Sequence, residues 1–210
     1  MPSHIILNLL KMLFIFLDVN FFRNLIIFIL LLILLTAFFA SRVIGVFEGT
    51  IERVVALATL MPIIAGVAGN SGNQTLVLMI RSIALGHITS LSISRLFIKE
   101  LSVAFINGII WGAVAGLFAY WLYFDQPISM LLGLTMMLAI LLNLTVAAAF
   151  GVLIPVILNK LNKDPAVGSS VLLTFGTDSM GFLIFLGLLL HSLVKIHIGI
   201  FFFFSSVVRV

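Results

Sequence analysis

The sequence predicts an all-α integral membrane protein with five membrane-spanning helices. Three observations carry that reading. Of 210 residues, 63% are hydrophobic and only 9% are charged, against roughly 25% charged in a soluble domain. Mean hydropathy is +1.36. The apolar residues fall in continuous runs and not in period-two alternation, which argues against a transmembrane barrel. A bilayer core of about 30 Å takes roughly 20 apolar residues per helix, so the chain has room for five or six crossings.

Residues 1–21 read as an amphipathic N-terminal segment. Ile5, Ile6, Leu9, Leu10, Leu13, Phe14 and Leu17 share one helical face, interrupted by Lys11 and Asp18. Such a segment suits the membrane surface. It lacks the basic start and small-residue cleavage site of a signal peptide. The transmembrane domain is expected over 22–193. Its first span covers about 24–44, bordered by Arg23 and Arg42, and a charged connector follows to Arg53.

The second span covers about 54–80 and holds Pro62, Gly66 and Gly69 ahead of a polar cluster from Asn70 to Thr75. We expect this span to be interrupted there. Backbone in lipid must be satisfied internally, so the stretch should be buried in protein or line a cavity. Residues 81–99 read as a loop with room for a short amphipathic helix. The third span, about 101–124, carries Gly108, Gly112 and Gly116, and small residues at that spacing let helices approach closely. Tyr120, Trp121 and Tyr123 form an aromatic belt at its end, and Asp125-Gln126-Pro127 makes a turn. The fourth span, about 129–158, contains Asn143 and Pro155, and a tilt or kink is expected near the proline. After a charged loop the fifth span covers about 167–193. Residues 194–210 are apolar over too short a run for a sixth crossing and read as an atypical interfacial tail.

Charge and composition narrow the function. Eleven Lys and Arg oppose seven Asp and Glu in scattered positions. No basic patch with interleaved aromatics suggests nucleic acid, and the natural partner is the lipid bilayer. The absence of cysteine rules out disulfides and thiolate chemistry. No phosphate-binding loop or other cofactor motif appears. With five spans, one side carries Lys11, Arg23, Arg81, Arg95, Lys99, Lys160 and Lys163, and the other Arg42, Arg53, Lys195 and Arg209. That bias places the N-terminus in the cytoplasm and the C-terminus outside a cell membrane.

Asp178 is the residue that the fifth span makes conspicuous. A carboxylate at the middle of a span costs about 2.5–3.5 kcal/mol on insertion scales and marks an ion, proton or substrate route. Ser170, Thr174 and Asp178 recur at intervals of four along one helical face, with Gly181 beyond them. In the second span Pro62, Gly66, Asn70 and Asn73 follow helical spacing, with Gln74 adjacent. Amides offer both carbonyl oxygens and N–H donors. One carboxylate surrounded by neutral oxygens suits a cation that keeps its waters, as Mg²⁺ does. A Ca²⁺ cage would recruit more carboxylates, and a transition metal would recruit His or Cys. Two-fold symmetry would double the single charge. These oxygens alone do not separate Mg²⁺ from a proton or Na⁺.

A rival reading comes from Gly69-Asn70-Ser71-Gly72, which resembles the nucleophile motif of rhomboid proteases. Ser71 and His191 would form a catalytic pair if they met within hydrogen-bond reach. That scheme leaves Asp178 without a role. The histidines show no paired ligand spacing and are expected at interfaces.

The stretches around Pro62–Gln74 (P-x-x-A-G-x-x-G-N-x-G-x-Q) and Asp164–Gly181 (D-P-A…T-D-x-x-G) resemble the membrane domain of MgtE-type magnesium channels and transporters, related to solute carrier family 41. The similarity keeps the family's order over roughly 22–190. It implies a homodimer with five spans per subunit and a pore at the subunit interface, lined by the second and fifth spans. It places Asp178 as the pore aspartate that binds hydrated Mg²⁺. The further pore-lining candidates are Gly66, Asn70, Asn73 and Gln74 of the second span and Ser170, Thr174 and Thr177 of the fifth. The expected activity is passage of Mg²⁺ down its electrochemical gradient, without enzymatic chemistry or a bound cofactor. Coupled exchange against Na⁺ or protons is the alternative. Typical members carry a helical domain and CBS modules before the membrane part. The chain offers at most about twenty residues there, as a naturally short member or as a piece of a longer chain. Whether a separate regulatory chain accompanies it stays open.

Overall fold

A computed structural model describes residues 19–53, 55–86 and 90–207. The expectation for residues 1–18 lies outside the described residues. In chain order the helices are α1 (Val19–Val46), α2 (Glu48–Arg53), α3 (Ala56–Ala84), α4 (Ser90–Leu122), α5 (Ser129–Lys160) and α6 (Ser169–Val207). No strand occurs among the described residues. Among the described residues, five stretches are long and apolar enough to cross a membrane: Ile26–Val46, Ala56–Ala84, Ile93–Leu122, Ser129–Lys160 and Ser169–Val194.

The α5 helix is central. It is apolar around its whole circumference, the pattern of a helix with neighbours on every side, and it packs against α3, α4 and α6. Leu132, Met136, Ala139, Ile140 and Leu144 join Leu57, Leu60 and Ile64 of α3 and Phe185, Leu186 and Leu189 of α6 in one buried cluster. A smaller cluster near the other end joins Met79 to Val152 and Val156, with Ile93, Leu96 and Phe97 of α4 against it. The expected glycine stripe of α4 lies against α5. A Cβ added at Gly112 would stand 2.7 Å from the Met137 carbonyl oxygen, and one at Gly116 2.6 Å from that of Gly133. Only glycine fits at such a separation. By contrast α1 packs mainly along α6, and most of its large apolar side chains are exposed, as a lipid-facing helix requires.

Several boundaries differ from expectation for identifiable reasons. The second span is not interrupted: α3 is continuous through the amide cluster and has Pro62 inside it. Its polar side chains are accommodated without a break in the helix, as where Asn73 Nδ2 donates to the Gly69 carbonyl at 2.9 Å. The stretch read as a loop over 81–99 belongs mostly to two helices. The α3 helix runs to Ala84 and closes with Gly86 at φ 68°, a left-handed conformation that suits glycine at a helix end. The α4 helix starts at Ser90, because Ile93, Leu96 and Phe97 recur at helical spacing and pack on α5 while Arg95 and Lys99 face outward. The α5 helix continues through Pro155 to Lys160. Past the fifth span, the α6 backbone stays helical to Val207 instead of breaking near Leu193.

Candidate functional site

The two stripes read from the sequence are neighbours. Ser170 of α6 donates to Asn73 Oδ1 of α3 at 2.9 Å. A Cβ at Gly69 would stand 3.7 Å from Thr177 Oγ1, and one at Gly181 would meet Ile64 Cγ2 at 3.4 Å. Residue numbers rise on one helix as they fall on the other, so α3 and α6 run antiparallel. In that register Asp178 lies level with the stretch Gly66–Gly69.

The glycines of α3 explain how the helices come this close. Gly72 lies against Ala147 of α5 and Leu173 of α6, each 3.2 Å from where its Cβ would be. Gly151 of α5 would place a Cβ 2.9 Å from the Gly72 carbonyl oxygen. The three helices therefore meet along a seam of small residues, and the side chains beside the seam are directed outward.

Most of the predicted site residues lie on that outward side. Gly66, Asn70, Gln74, Ser170 and Thr174 are exposed, and Asp178 and Asn73 are partly exposed. Nothing lies within 4 Å of the Cβ position of Gly66. No hydrogen bond or ion pair among the described residues engages Asp178, Asn70 or Gln74. Asn73 is committed at both ends of its amide, to the Gly69 carbonyl and to Ser170, and so acts as a strut between the two helices. Thr177 departs from expectation. It is fully buried against Gly69, and its hydroxyl donates to the Thr174 carbonyl at 3.1 Å. Its position a quarter-turn round the helix from Asp178 places it in the packing seam and not on the open stripe.

The Ser71–His191 pairing is not formed. By the same register Ser71 is level with Thr174, whereas His191 is roughly five turns further along α6, about 25 Å away. The geometry gives no nucleophile–base pair.

Sequence reading missed three polar residues near the seam. Thr75, buried in α3, donates from Oγ1 to Glu100 Oε2 of α4 at 3.0 Å. The signal is the carboxylate Glu100, which falls between the stretch read as loop and the third span and so belongs to neither in the sequence reading. Asn143 of α5 is fully buried, with Nδ2 3.4 Å from the Ile64 carbonyl oxygen and Oδ1 without a partner. Ser179 is buried beside Asp178, and its hydroxyl also lacks a partner.

The chemistry available on the stripe is one carboxylate, two free amides and two hydroxyls per chain. Among the described residues no group of three His, Cys, Asp or Glu could hold a metal ion directly. Neutral oxygens spread along the outward face of two helices suit a cation that keeps its waters, which donate to the protein in place of direct bonds.

The chain is similar to known proteins over most of its length. Residues 61–188 match the family model MgtE, described as a divalent cation transporter. The chain is 33% identical over 167 residues to the magnesium transporter MgtE of Bacillus subtilis, covering 78% of this chain and 36% of that protein. It is 31% identical over 159 residues to the magnesium transporter MgtE of Thermus thermophilus, covering 75% and 34%. A third relative, the magnesium transporter MgtE of Enterococcus faecalis, is 31% identical over 150 residues, covering 69% and 31%. The chain thus spans about a third of the length of the curated relatives it matches.

Proposed function

This chain belongs to the MgtE family of divalent cation transporters, and from that premise we propose that it carries Mg²⁺ across the cell membrane down its electrochemical gradient. The path lies between two copies of the chain, and the hydrated ion is held by Asp178 of both. One observation supports this above the rest. A row of polar groups on two membrane-spanning helices, Asn70 and Gln74 with Ser170, Thr174 and Asp178, faces outward from a single chain. In hydrocarbon such groups are costly, and they persist where another protein surface or a watery path covers them. A second copy related by a two-fold axis supplies both, and it brings two carboxylates to one site.

Each residue then has a role. Asp178 accepts hydrogen bonds from the waters of the ion and supplies charge. Asn70, Gln74, Thr174 and Ser170 bond to outer waters along the groove, and Gly66 leaves width for them. Asn73 fixes the spacing of α3 and α6. The basic ends of α3, α4 and α5 face the cytoplasm by the positive-inside rule, with the N-terminus inside and the C-terminus outside. An inside-negative potential favours entry by about 2.3 kcal/mol per charge per 100 mV, and twice that for a divalent ion.

The test is Mg²⁺ flux into liposomes containing the wild-type chain or Asp178→Asn. Wild type is expected to conduct, with current reversing at the Mg²⁺ equilibrium potential at every pH tried. The Asn variant should fall to the leak of protein-free liposomes. Full flux in the variant removes Asp178 from the path, and a reversal potential that follows pH or Na⁺ replaces the passive path with coupled exchange.

A further inference from the structure

The end of α3, the start of α4 and the end of α5 enclose a cavity of about 480 Å³, within the range of small-ligand sites. Its inner wall is apolar, from Phe97, Leu153 and Val156, and its rim carries Ser94, Asn159 and Lys160. Its α5 residues lie beyond Gly151, towards the Lys160 end of that helix, and none of its lining belongs to the Asp178 stripe. Lys160 is exposed, and no ion pair among the described residues engages it.

The surroundings decide what such a cavity takes. Arg81, Arg95, Lys99 and Lys163 are exposed at the same end of the helices. The two acids among these segments are both occupied by neutral donors: Glu100 accepts from Thr75 Oγ1 and Asp164 from the Ala166 N–H. Five cations, Lys160 included, against these two carboxylates leave the local field positive. Ile98 and Leu161, next in sequence to the lining residues Phe97 and Lys160, are exposed, so apolar surface continues beside the cavity. A cationic rim above an apolar wall, between helices on the basic side, is the form of site that binds anionic lipid headgroups.

We propose that this cavity binds one anionic phospholipid of the cytoplasmic leaflet. Its phosphate pairs with Lys160 and accepts hydrogen bonds from Ser94 and Asn159, and an acyl chain lies on Phe97, Leu153 and Val156. The bound lipid ties the end of α3 and the start of α4 to the end of α5. This rests on the membrane-spanning fold and on the positive-inside orientation, and not on the transport reading, because the quantity measured is bound lipid.

The test is native mass spectrometry of the purified full chain in detergent doped with phosphatidylglycerol or with phosphatidylcholine. Wild type is expected to retain one phosphatidylglycerol under activation that strips phosphatidylcholine. Lys160→Gln should weaken that retention about fivefold, the effect of one basic side chain near a charged headgroup. Leu153→Trp fills the cavity with every cation left in place, and it should also lose the lipid. Arg42→Gln, at the opposite end, should retain it as wild type does. Equal retention of the two lipids by wild type overturns the proposal, as does undiminished retention in both cavity variants. Displacement of the lipid by inorganic phosphate at millimolar concentration also overturns it, since the site then takes a free anion.

Discussion

Asp178 and Asn143 are both polar side chains inside membrane-spanning helices, and they have opposite surroundings. Asn143 is sealed between α3, α5 and α6, where its Nδ2 faces the Ile64 carbonyl and its side chain fills the space beside Gly181. Asp178 lies one turn along α6 from Gly181 and is partly open. The first is a packing residue and the second the residue we propose on the ion path, although both look equally anomalous in an apolar run. The difference predicts different phenotypes. Gly181→Ala would drive a methyl group into the Asn143 amide, and overpacking of this kind costs about 1–3 kcal/mol. Its thermal midpoint in detergent should fall, and adding Asn143→Ala should restore part of the loss. A double variant no more stable than Gly181→Ala would show that the two side chains do not oppose each other. Asp178→Asn should leave the midpoint within error of wild type while abolishing flux.

Among the elements, α4 and α3 show how glycines within a span differ in what they meet. Gly112 and Gly116 of α4 abut backbone carbonyls of α5, whereas Gly66 of α3 has open space where its side chain would be. Gly116→Leu is expected to separate α4 from α5, with a loss of several kcal/mol or failure to fold, read by unfolding in detergent. Gly66→Ala should leave stability unchanged, and its effect should appear in flux alone, by narrowing the groove. A destabilised Gly66→Ala would place that glycine in a packed contact. The existence of these helices was legible from hydropathy, and so was the α4 glycine stripe. The continuity of α3 was not. A run of amides and glycines reads as a break when taken alone, and it stays helical because α5 and α6 pack into its small residues while its polar side chains bond locally or face outward. The start of α4 was hidden for a related reason. Arg95, Lys99 and Glu100 dilute hydropathy, while Ile93, Leu96 and Phe97 supply an apolar face that only packing against Val152 and Val156 reveals.

On the scale of the whole molecule, charge and polarity are both distributed unevenly. The basic residues Arg81, Arg95, Lys99, Lys160 and Lys163 gather at one end, where α3 and α5 finish and α4 and α6 begin. Glu48, Glu52 and Asp125 lie at the other. Between the ends, the polar stripe on α3 and α6 faces outward, and the proposed dimer would cover it. Because the chain has no cysteine, the arrangement is directly testable. Thr174→Cys in membranes should form a disulfide-linked dimer on mild oxidation, since a two-fold axis along the stripe brings the two copies of this residue together. Leu117→Cys, on the exposed face of α4, should remain monomeric under the same treatment. Cross-linking at Leu117 without any at Thr174 would move the interface away from the proposed path.

The amino-acid order by itself determined the membrane-spanning class, the number of spans, the basic end and the position of Asp178 as a carboxylate at the middle of a span. These follow from local quantities, namely hydropathy over about twenty residues, charge between spans and the cost of an acid in lipid. Tertiary structure decided which polar residues share a face. It turned Thr177 and Asn143 inward, made Asn73 a strut, joined Thr75 to Glu100 and separated Ser71 from His191. Helical periodicity states which residues of one helix are neighbours, but the rotation of that helix is set by the small residues of the others. Here those are Gly72, Gly151 and Gly181, and the close approach they permit between α3, α5 and α6 leaves Asp178 on the open side.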